Sequence, residues 1–471
     1  MSIKIDQRGK VFRDPIHHLI SIDQEDAFLL ELMDTLEFQR LRRIRQLGVS
    51  CLTYPGAEHT RFNHSLGVLN FTQRIIQALE RRHSDSPSEI GILTANKRAL
   101  KAAALLHDIG HGPFSHMVER AFKGKADHAK RTAKLIGTST TEVNAVLKRN
   151  GVNPNDVRAI IDGASDFLFL QDIVSSQLDA DRMDYILRDA HFTGVRYGTY
   201  DSEWILNSFC LGLDPAAKTG ETGVRHLRLC LDASRGLHSA EQFIIARYHM
   251  NMQVYFHRTT RGWEAHLLML FNEAKKLAGS LPPATPSVVQ RFIAGEGEVS
   301  DADFLRLDDA VMSAAFLEWS LSTACGHELL ARLADCFLRR KKLLLLRELL
   351  PEESSLEKRV LLRTLLERHA GRSGGAWILD EDSVKLYEFF SPLAGGGNDH
   401  EAILLSKGNL EEKAQPFEVR SMLFTALGAR SEANSDDGKS SLFRLYYLPS
   451  IAKAIQRAFI ETEDLVLDLK S

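Results

Sequence analysis

Cysteine is scarce in this 471-residue sequence: Cys51, Cys210, Cys230, Cys325 and Cys336 are odd in number, scattered and without a CxxC spacing. That pattern excludes a disulfide framework and a thiolate zinc site, and it fits a reducing compartment. Long hydrophobic runs are missing too; no stretch of 18 apolar residues occurs, so no segment reads as a transmembrane helix. The opening residues, Met1 to Arg8, are too polar for a signal peptide. Nor does one sign of charge dominate. A formal net charge of -3 gives no global attraction to nucleic acid or membrane, so any anion site has to be a local patch. At 44% hydrophobic and 26% charged residues, what remains is the composition of a soluble chain, expected in the cytoplasm. Its length leads us to expect two domains.

Histidine, by contrast, is concentrated. Seven of the eighteen histidines fall between residues 59 and 128. The densest stretch, His107-Asp-Ile-Gly-His-Gly-Pro-Phe-Ser-His116, ends a run of helix formers from Lys97 to Leu106. Gly110, Gly112 and Pro113 cannot propagate that helix, so the backbone turns and brings His111 and His116 back towards His107 and Asp108. Imidazoles and a carboxylate converging on a short loop are ligands for a borderline or hard divalent metal. Two other segments contribute. Arg61 and His64 stand at i and i+3 at the start of a helix that reaches about Arg82. Asp172 to His191 reads as a helix with a polar ridge of Asp181, Tyr185 and Arg188/Asp189, and Asp181 sits among apolar neighbours as an inward-facing carboxylate does.

His64, His107, Asp108 and Asp181 thus form a metal set that leaves room for water and a phosphate oxygen. Arg61, Arg182, Arg247 and Arg258 are candidates to neutralise phosphate charge. His111, His116 and His128 are candidates to move protons, with Glu119 orienting a histidine. These residues support metal-dependent hydrolysis of a phosphoester or phosphoanhydride; diester, monoester and triphosphate all remain open.

The remainder organises around that set. Residues 1–20 read as short strand and turn, and Glu25 to Leu47 as one amphipathic helix carrying Arg40, Arg42, Arg43 and Arg45, a solvated face or an anion site. Residues 199–223 read as a connector, Val224 to Asp232 as a strand, and Ser239 to about Ala278 as one long helix. On it Arg247, Asn251, Tyr255 and Arg258 form a cationic, aromatic stripe. Leu281 to Pro286 reads as the domain boundary, giving domains 1–280 and 287–471. Beyond it, Ser300 to Leu350 reads as helical, with Arg339-Arg340-Lys341-Lys342 a solvated face. Gly371–Gly375, Gly395–Gly397 and Glu432–Gly438 read as loops around short strands such as Ala402–Leu405, before a closing helix near Pro449. The expected fold is mainly α, an all-helical core followed by a C-terminal domain of helices and small sheets that serves oligomerisation or regulation.

Several strings carry a resemblance. Phe38-Gln-Arg-Leu-Arg42, Gln46-Leu-Gly48, Tyr54-Pro-Gly-Ala57, Arg61-Phe-Asn-His-Ser-Leu-Gly-Val68, the His107–His116 stretch and Asp181-Arg-Met-Asp-Tyr185 resemble the deoxynucleoside triphosphate triphosphohydrolases. Within the HD-domain phosphohydrolases, the branch is that of the human SAM- and HD-domain enzyme and bacterial dGTPase-like proteins. The resemblance spans about residues 8–265 and fades after 280.

It implies cleavage of a dNTP to a deoxynucleoside and inorganic triphosphate. His64, His107, Asp108 and Asp181 would hold one divalent metal (iron, manganese or magnesium, with zinc or nickel as occupants on purification), and magnesium would accompany the phosphates. His111, His116, His128 and Glu119 would be catalytic, His116 as the general acid. Gln46 and Leu47 would read the sugar, Tyr185 would crowd its 2′ position, and Arg61, Arg182, Arg247 and Arg258 would hold phosphates. Asp189, Asn251 and Tyr255 would line sugar and base. An activating nucleotide at a subunit interface would meet Lys10, Val11, Asp34, Gln39 and Arg42, which implies a homodimer or homotetramer. Arg182 and Arg258 stand where the human enzyme has lysine, and Asn251 where it has histidine. The competing expectations are an HD-type phosphodiesterase, nucleotidase or single-strand nuclease, and a nucleotide-sensing binding protein. Nucleic acid is not the favoured partner, and no membrane association is expected.

Overall fold

The chain opens with a hairpin, β1 (Lys10–Asp14) and β2 (His18–Ile22), paired antiparallel from Lys10↔Ile22 to Asp14↔His18. The computed structural model describes residues 9–122, 127–218, 223–349, 356–370, 376–384, 402–423 and 440–468. The glycine-rich loops at 371–375, 395–397 and 432–438, and the run at Lys4-Ile5, lie outside the described residues.

Helices dominate the segment after the hairpin. Beyond α1 (Ala27–Met33) and the short α2 (Leu36–Gln39) come two long helices, α3 (Arg61–Arg82) and α4 (Pro87–Leu106). Pro87 sits in the first turn of α4, where its missing N–H leaves no bond unmade. Shorter helices wrap this pair: α5 (His116–Ala121), α6 (His128–Gly137), α7 (Glu142–Arg149), α8 (Pro154–Ile161) and α9 (Leu168–Val174). Then α10 (Ala180–Thr193) packs along α3. Asp179 caps α10 by accepting the Arg182 N–H at 2.7 Å, and Gly194 ends it in the left-handed region at φ 78°. Gly67 of α3 faces α10; a Cβ there would overlap the Asp184 carboxylate and the Arg188 guanidinium.

The second half of the chain returns to the first. After α11 (Ser202–Ser208), β3 (Phe209–Leu213) and β4 (Leu227–Asp232) come α12 (Leu237–Met250) and α13 (Arg258–Lys276). They are followed by α14 (Ser287–Ala294), α15 (Asp301–Phe304), α16 (Asp309–Ser320) and α17 (Glu328–Leu338). The last elements are β5 (Leu344–Leu349), α18 (Leu356–Ala370), β6 (Trp377–Val384), β7 (Leu404–Ser406), β8 (Gln415–Pro416), β9 (Ser440–Tyr447) and α19 (Ala452–Asp468). One sheet has the order β3-β4-β7-β8, with β7 parallel to β4, and another the order β5-β9-β6. The fold is mainly α with small sheets.

Four segments depart from the sequence reading, two of them with clear local causes. Glu25 to Leu47 is not one helix, because Thr35 ends α1 by donating to the Leu32 carbonyl at 2.7 Å and starts α2 by accepting the Phe38 N–H. Ser239 to Ala278 is not one helix either: Asn251–Tyr255 widens into a π turn between α12 and α13. The apolar run after Lys342 forms β5 rather than helix, and residues 199–223 include α11 and β3.

A first buried core runs from Ile20 through Val254 and takes in Phe304, Ile403, Leu405 and Phe417. A second joins Val49, Phe114 and Trp263 to Leu281, Phe292, Trp319 and Tyr446. Leu281–Pro286 therefore runs along one core, with core residues on both sides of it. Among the described residues no helix is long and apolar enough to cross a membrane.

Candidate active site

Helix α4 delivers His107 as its C-terminal cap, and the loop from 107 to 115 then folds back beneath α3. The loop ends on two consecutive non-glycine residues in the left-handed region, Phe114 at φ 56° and Ser115 at φ 55°, a conformation that persists only where surroundings hold it. Asp309 from α16 holds it: its carboxylate accepts the Phe114 N–H at 2.8 Å and the Arg45 N–H at 3.0 Å. Burial pushes the Asp309 carboxyl up to about 6 against those donors. Ser115 Oγ donates to the Arg45 carbonyl and accepts from Arg61 Nε, each at 2.9 Å.

Four side chains from three helix regions converge beside this loop. His64 Nε2 lies 2.9 Å from Asp181 Oδ1 and 3.8 Å from Asp108 Oδ2. His107 Nε2 lies 3.5 Å from Asp108 Oδ1 and 3.8 Å from Asp181 Oδ1. The second nitrogen of each imidazole is occupied: His107 Nδ1 faces the Ala104 carbonyl at 2.9 Å, and His64 Nδ1 faces Asp184 Oδ2 at 2.8 Å. Such backing bonds orient metal-ligating histidines. Asp184 is itself fixed by His17 at 2.7 Å and by Arg188, which also bonds Asp14.

The donor set fits a divalent cation. His107 Nε2 is buried, has no hydrogen-bond partner among the described residues, and aims its lone pair at the two carboxylates. The carboxylates make this an environment that favours positive charge. Burial opposes ionisation of Asp108, yet Arg61, His107 and His111 together hold its carboxyl well below the usual range. Burial likewise opposes the charge on His64, but Asp181 and Asp184 outweigh it and raise the imidazole to about 10. His64, His107 and Asp181 form one group able to hold a metal ion.

A second cluster faces the same space. His111 and His128 stack with ring centroids 4.0 Å apart, and His116 stands edge-on to both. Glu119 binds His128 Nδ1 at 2.6 Å and His116 Nδ1 at 3.3 Å. Burial raises the Glu119 carboxyl but the two histidines lower it further; burial lowers His128 but Glu119 raises it more. Gly110 makes this closeness possible, since a Cβ there would collide with the His128 carbonyl and the Thr132 backbone of α6.

Between the clusters is a cavity of about 550 Å³. Gln46, Leu47, Arg61, His107, Asp108, His111, His116, His128, Asp181, Tyr185, Asp189, Asn251 and Tyr255 line it; His64 is buried behind Asp108 and Asp181. Asp189 accepts the Tyr255 hydroxyl at 2.7 Å and pairs with His59 at 2.8 Å, which fixes Tyr255 in place. Gln46 presents a buried Oε1 with no hydrogen-bond partner among the described residues.

Not every sequence candidate reaches the cavity. Arg182 turns back to the Ser176 carbonyl and Asp179, and Arg247 donates to Gln177 at 2.6 Å. Arg258 is exposed at the start of α13, because the chain leaves the helical path at His257 (ψ 128°), beyond the turn that Asn251 and Tyr255 share. Glu119 stands behind its histidines. Lys10, Val11, Asp34, Gln39 and Arg42 lie outside the cavity; Arg42 stacks on Phe62 at 3.5 Å and binds Gln39. The neighbouring arginines are engaged with the C-terminal half: Arg40 donates to the Leu307 and His111 carbonyls, and Arg43 pairs with Asp308.

Arg120, Arg261 and Glu264 also line the cavity, and Asp380 of β6 pairs with both arginines. Nothing in the sequence joins Asp380 to this lining.

The comparisons agree with this geometry. The family model of the HD domain matches residues 61–188. An uncharacterized protein of Bacillus subtilis is 38% identical over 314 residues, 66% of each chain. The deoxynucleoside triphosphate triphosphohydrolase of Mus musculus is 34% identical over 218 residues, 40% of this chain and 32% of that enzyme. The chain thus spans less than two thirds of either relative. The crystal structure of a phosphohydrolase from Bacteroides thetaiotaomicron superposes with a TM-score of 0.70 at 25% identity, covering 94% of this chain and all of that one. His64, His107, Asp108 and Asp181 all fall inside the matched segment, and residues 61–188 constitute an HD domain.

Proposed function

We propose that the cavity hydrolyses deoxynucleoside triphosphates to deoxynucleoside and inorganic triphosphate. The observation that carries this reading is the placement of the His64–His107–Asp108–Asp181 cluster and the His111–His116–His128 cluster on one cavity that Gln46, Leu47, Tyr185 and Tyr255 also line. The likeness to the mouse triphosphohydrolase supports it.

The four ligands would hold a divalent cation, iron, manganese or magnesium. When bound, that cation polarises the phosphoryl group and favours ionisation of water. Arg61, fixed by Asp108 at 2.6 Å and by Ser115, supplies positive charge to a phosphate without reorganising. His116, held by Glu119 at the cavity rim, gives its proton to the leaving 5′ oxygen. Tyr185, whose ring lies 6.3 Å from that of Tyr255, crowds the sugar; Gln46 Oε1 accepts the 3′-hydroxyl. A nucleotide bound between subunits at Lys10, Val11, Asp34, Gln39 and Arg42 would activate a homo-oligomer.

Product analysis with each of the four dNTPs and manganese tests the reading. Release of tripolyphosphate with deoxynucleoside is expected. Release of orthophosphate or pyrophosphate alone, or turnover of single-stranded DNA with inert dNTPs, would replace it by a different hydrolysis.

A further inference from the structure

The histidine cluster opposite the HD ligands has a property that proton transfer does not require. One ligand atom from each of His111, His116, Glu119 and His128 lies within 4.8 Å of the other three. His111 is 1% exposed and its Nε2 faces Asp108 Oδ1 at 3.2 Å, so a proton on Nε2 is shared with that carboxylate. Its other nitrogen, Nδ1, has no hydrogen-bond partner among the described residues and lies 3.9 Å from Glu119 Oε1. A buried lone pair is thus aimed at a carboxylate, where two more imidazoles gather. An acceptor facing an acceptor is unfavourable unless a cation lies between them.

We propose that His111, His116, Glu119 and His128 form a second metal site, selective for a borderline divalent ion such as zinc, and that its occupation inhibits turnover. Three imidazole nitrogens and one carboxylate oxygen make the donor set that zinc takes in four-coordination. The bound ion replaces the protons that now join Glu119 to His116 and His128. Arg61 stands on the HD side and donates to Asp108, so it does not compete for Glu119. Inhibition rests on the triphosphohydrolase reading, because the ion occupies the lone pairs that carry the proton; the site itself does not depend on that reading.

Equilibrium dialysis of the full chain against zinc, read by elemental analysis, is the test. Wild type should bind two equivalents, and His64→Gln/Asp181→Asn and His116→Gln/His128→Gln one each. Since the His116 side chain is 63% exposed, His116→Gln alone should fold normally and weaken the second equivalent by at least the roughly 10–100-fold that loss of even an outer partner costs. One equivalent in wild type, or a second that survives both His116→Gln and His116→Gln/His128→Gln, overturns the site. With manganese in the HD ligands, added zinc should suppress triphosphate release in step with filling of the second equivalent; full turnover at full occupancy overturns the inhibition. Two equivalents without triphosphate release from any dNTP would leave the site standing and remove the proposed reaction. Triphosphate release with a single equivalent would do the reverse.

Discussion

His64 and His111 are both buried imidazoles beside one cavity, yet they are held in opposite ways. His64 has a carboxylate at each nitrogen, Asp184 at 2.8 Å and Asp181 at 2.9 Å, and is raised to about 10. His111 has Asp108 at 3.2 Å from one nitrogen and Glu119 only at 3.9 Å from the other, and burial with Arg61 nearby drives its pKa well below the usual imidazole value. Behind His64 stands a closed network of Asp184, Arg188, Asp14 and His17. Behind the His111 cluster stands the single carboxylate of Glu119, with His116 at the rim. His64 is braced at both ring nitrogens, His111 at one.

The largest effect should come from dismantling the rigid side. Asp184→Ala leaves Arg188 and His64 short of a buried partner and should cost about 3–5 kcal/mol, read by denaturant unfolding, with loss of bound metal. A protein that keeps its metal and its midpoint would erase the contrast. The adjustable side should instead separate binding from turnover. With manganese as the added ion, His116→Gln should retain it and lower kcat by about 10²–10⁴, whereas His107→Ala should lose both manganese and turnover; metal analysis beside kinetics decides.

A smaller effect concerns the support shared by both sides. Asp309→Ala strips two buried N–H groups of their acceptor, for about 1–3 kcal/mol, and frees the strained Phe114–Ser115 turn, so KM should rise. Unchanged stability and KM would mean the loop holds itself.

The smallest effect is a pH dependence. Glu119 is lowered from 4.5, so its share of stability is present above 4.5 and lost only as pH falls well below it. His128 is raised from 6.5, so its share is full below 6.5 and lost as pH rises through the raised value. Thermal melts of wild type and Glu119→Gln should therefore differ most between about pH 4.5 and 6.5 and converge on the alkaline side; a gap that widens with pH would contradict the pairing.

Much of the cavity was legible because its chemistry is local. His107 to His116 announces a turn through its own glycines and proline, and Asp181, Tyr185 and Asp189 share a helix face by simple spacing. The long-range supports were not. Asp309 meets Phe114 across 195 residues, and Arg40 meets Leu307 across 267. An arginine-rich segment cannot show whether its charges face an anion, solvent or another part of the chain. The π turn at Asn251–Tyr255 was hidden as well, since its residues are ordinary helix formers and the extra backbone bond depends on packing. The break that follows it at His257 separates Arg258 from Asn251 and Tyr255, which reach the cavity.

Gly67 lies inside a 22-residue helix, where glycine gives away about 0.5–1 kcal/mol relative to alanine. Substitution towards a better helix former would strengthen α3 in isolation and, by adding one methyl group, drive α10 away and carry Asp181 and Asp184 with it. The most stable version of this helix is therefore incompatible with the site it supports. Selection for stability alone would erode the metal centre at a position that touches neither metal nor substrate.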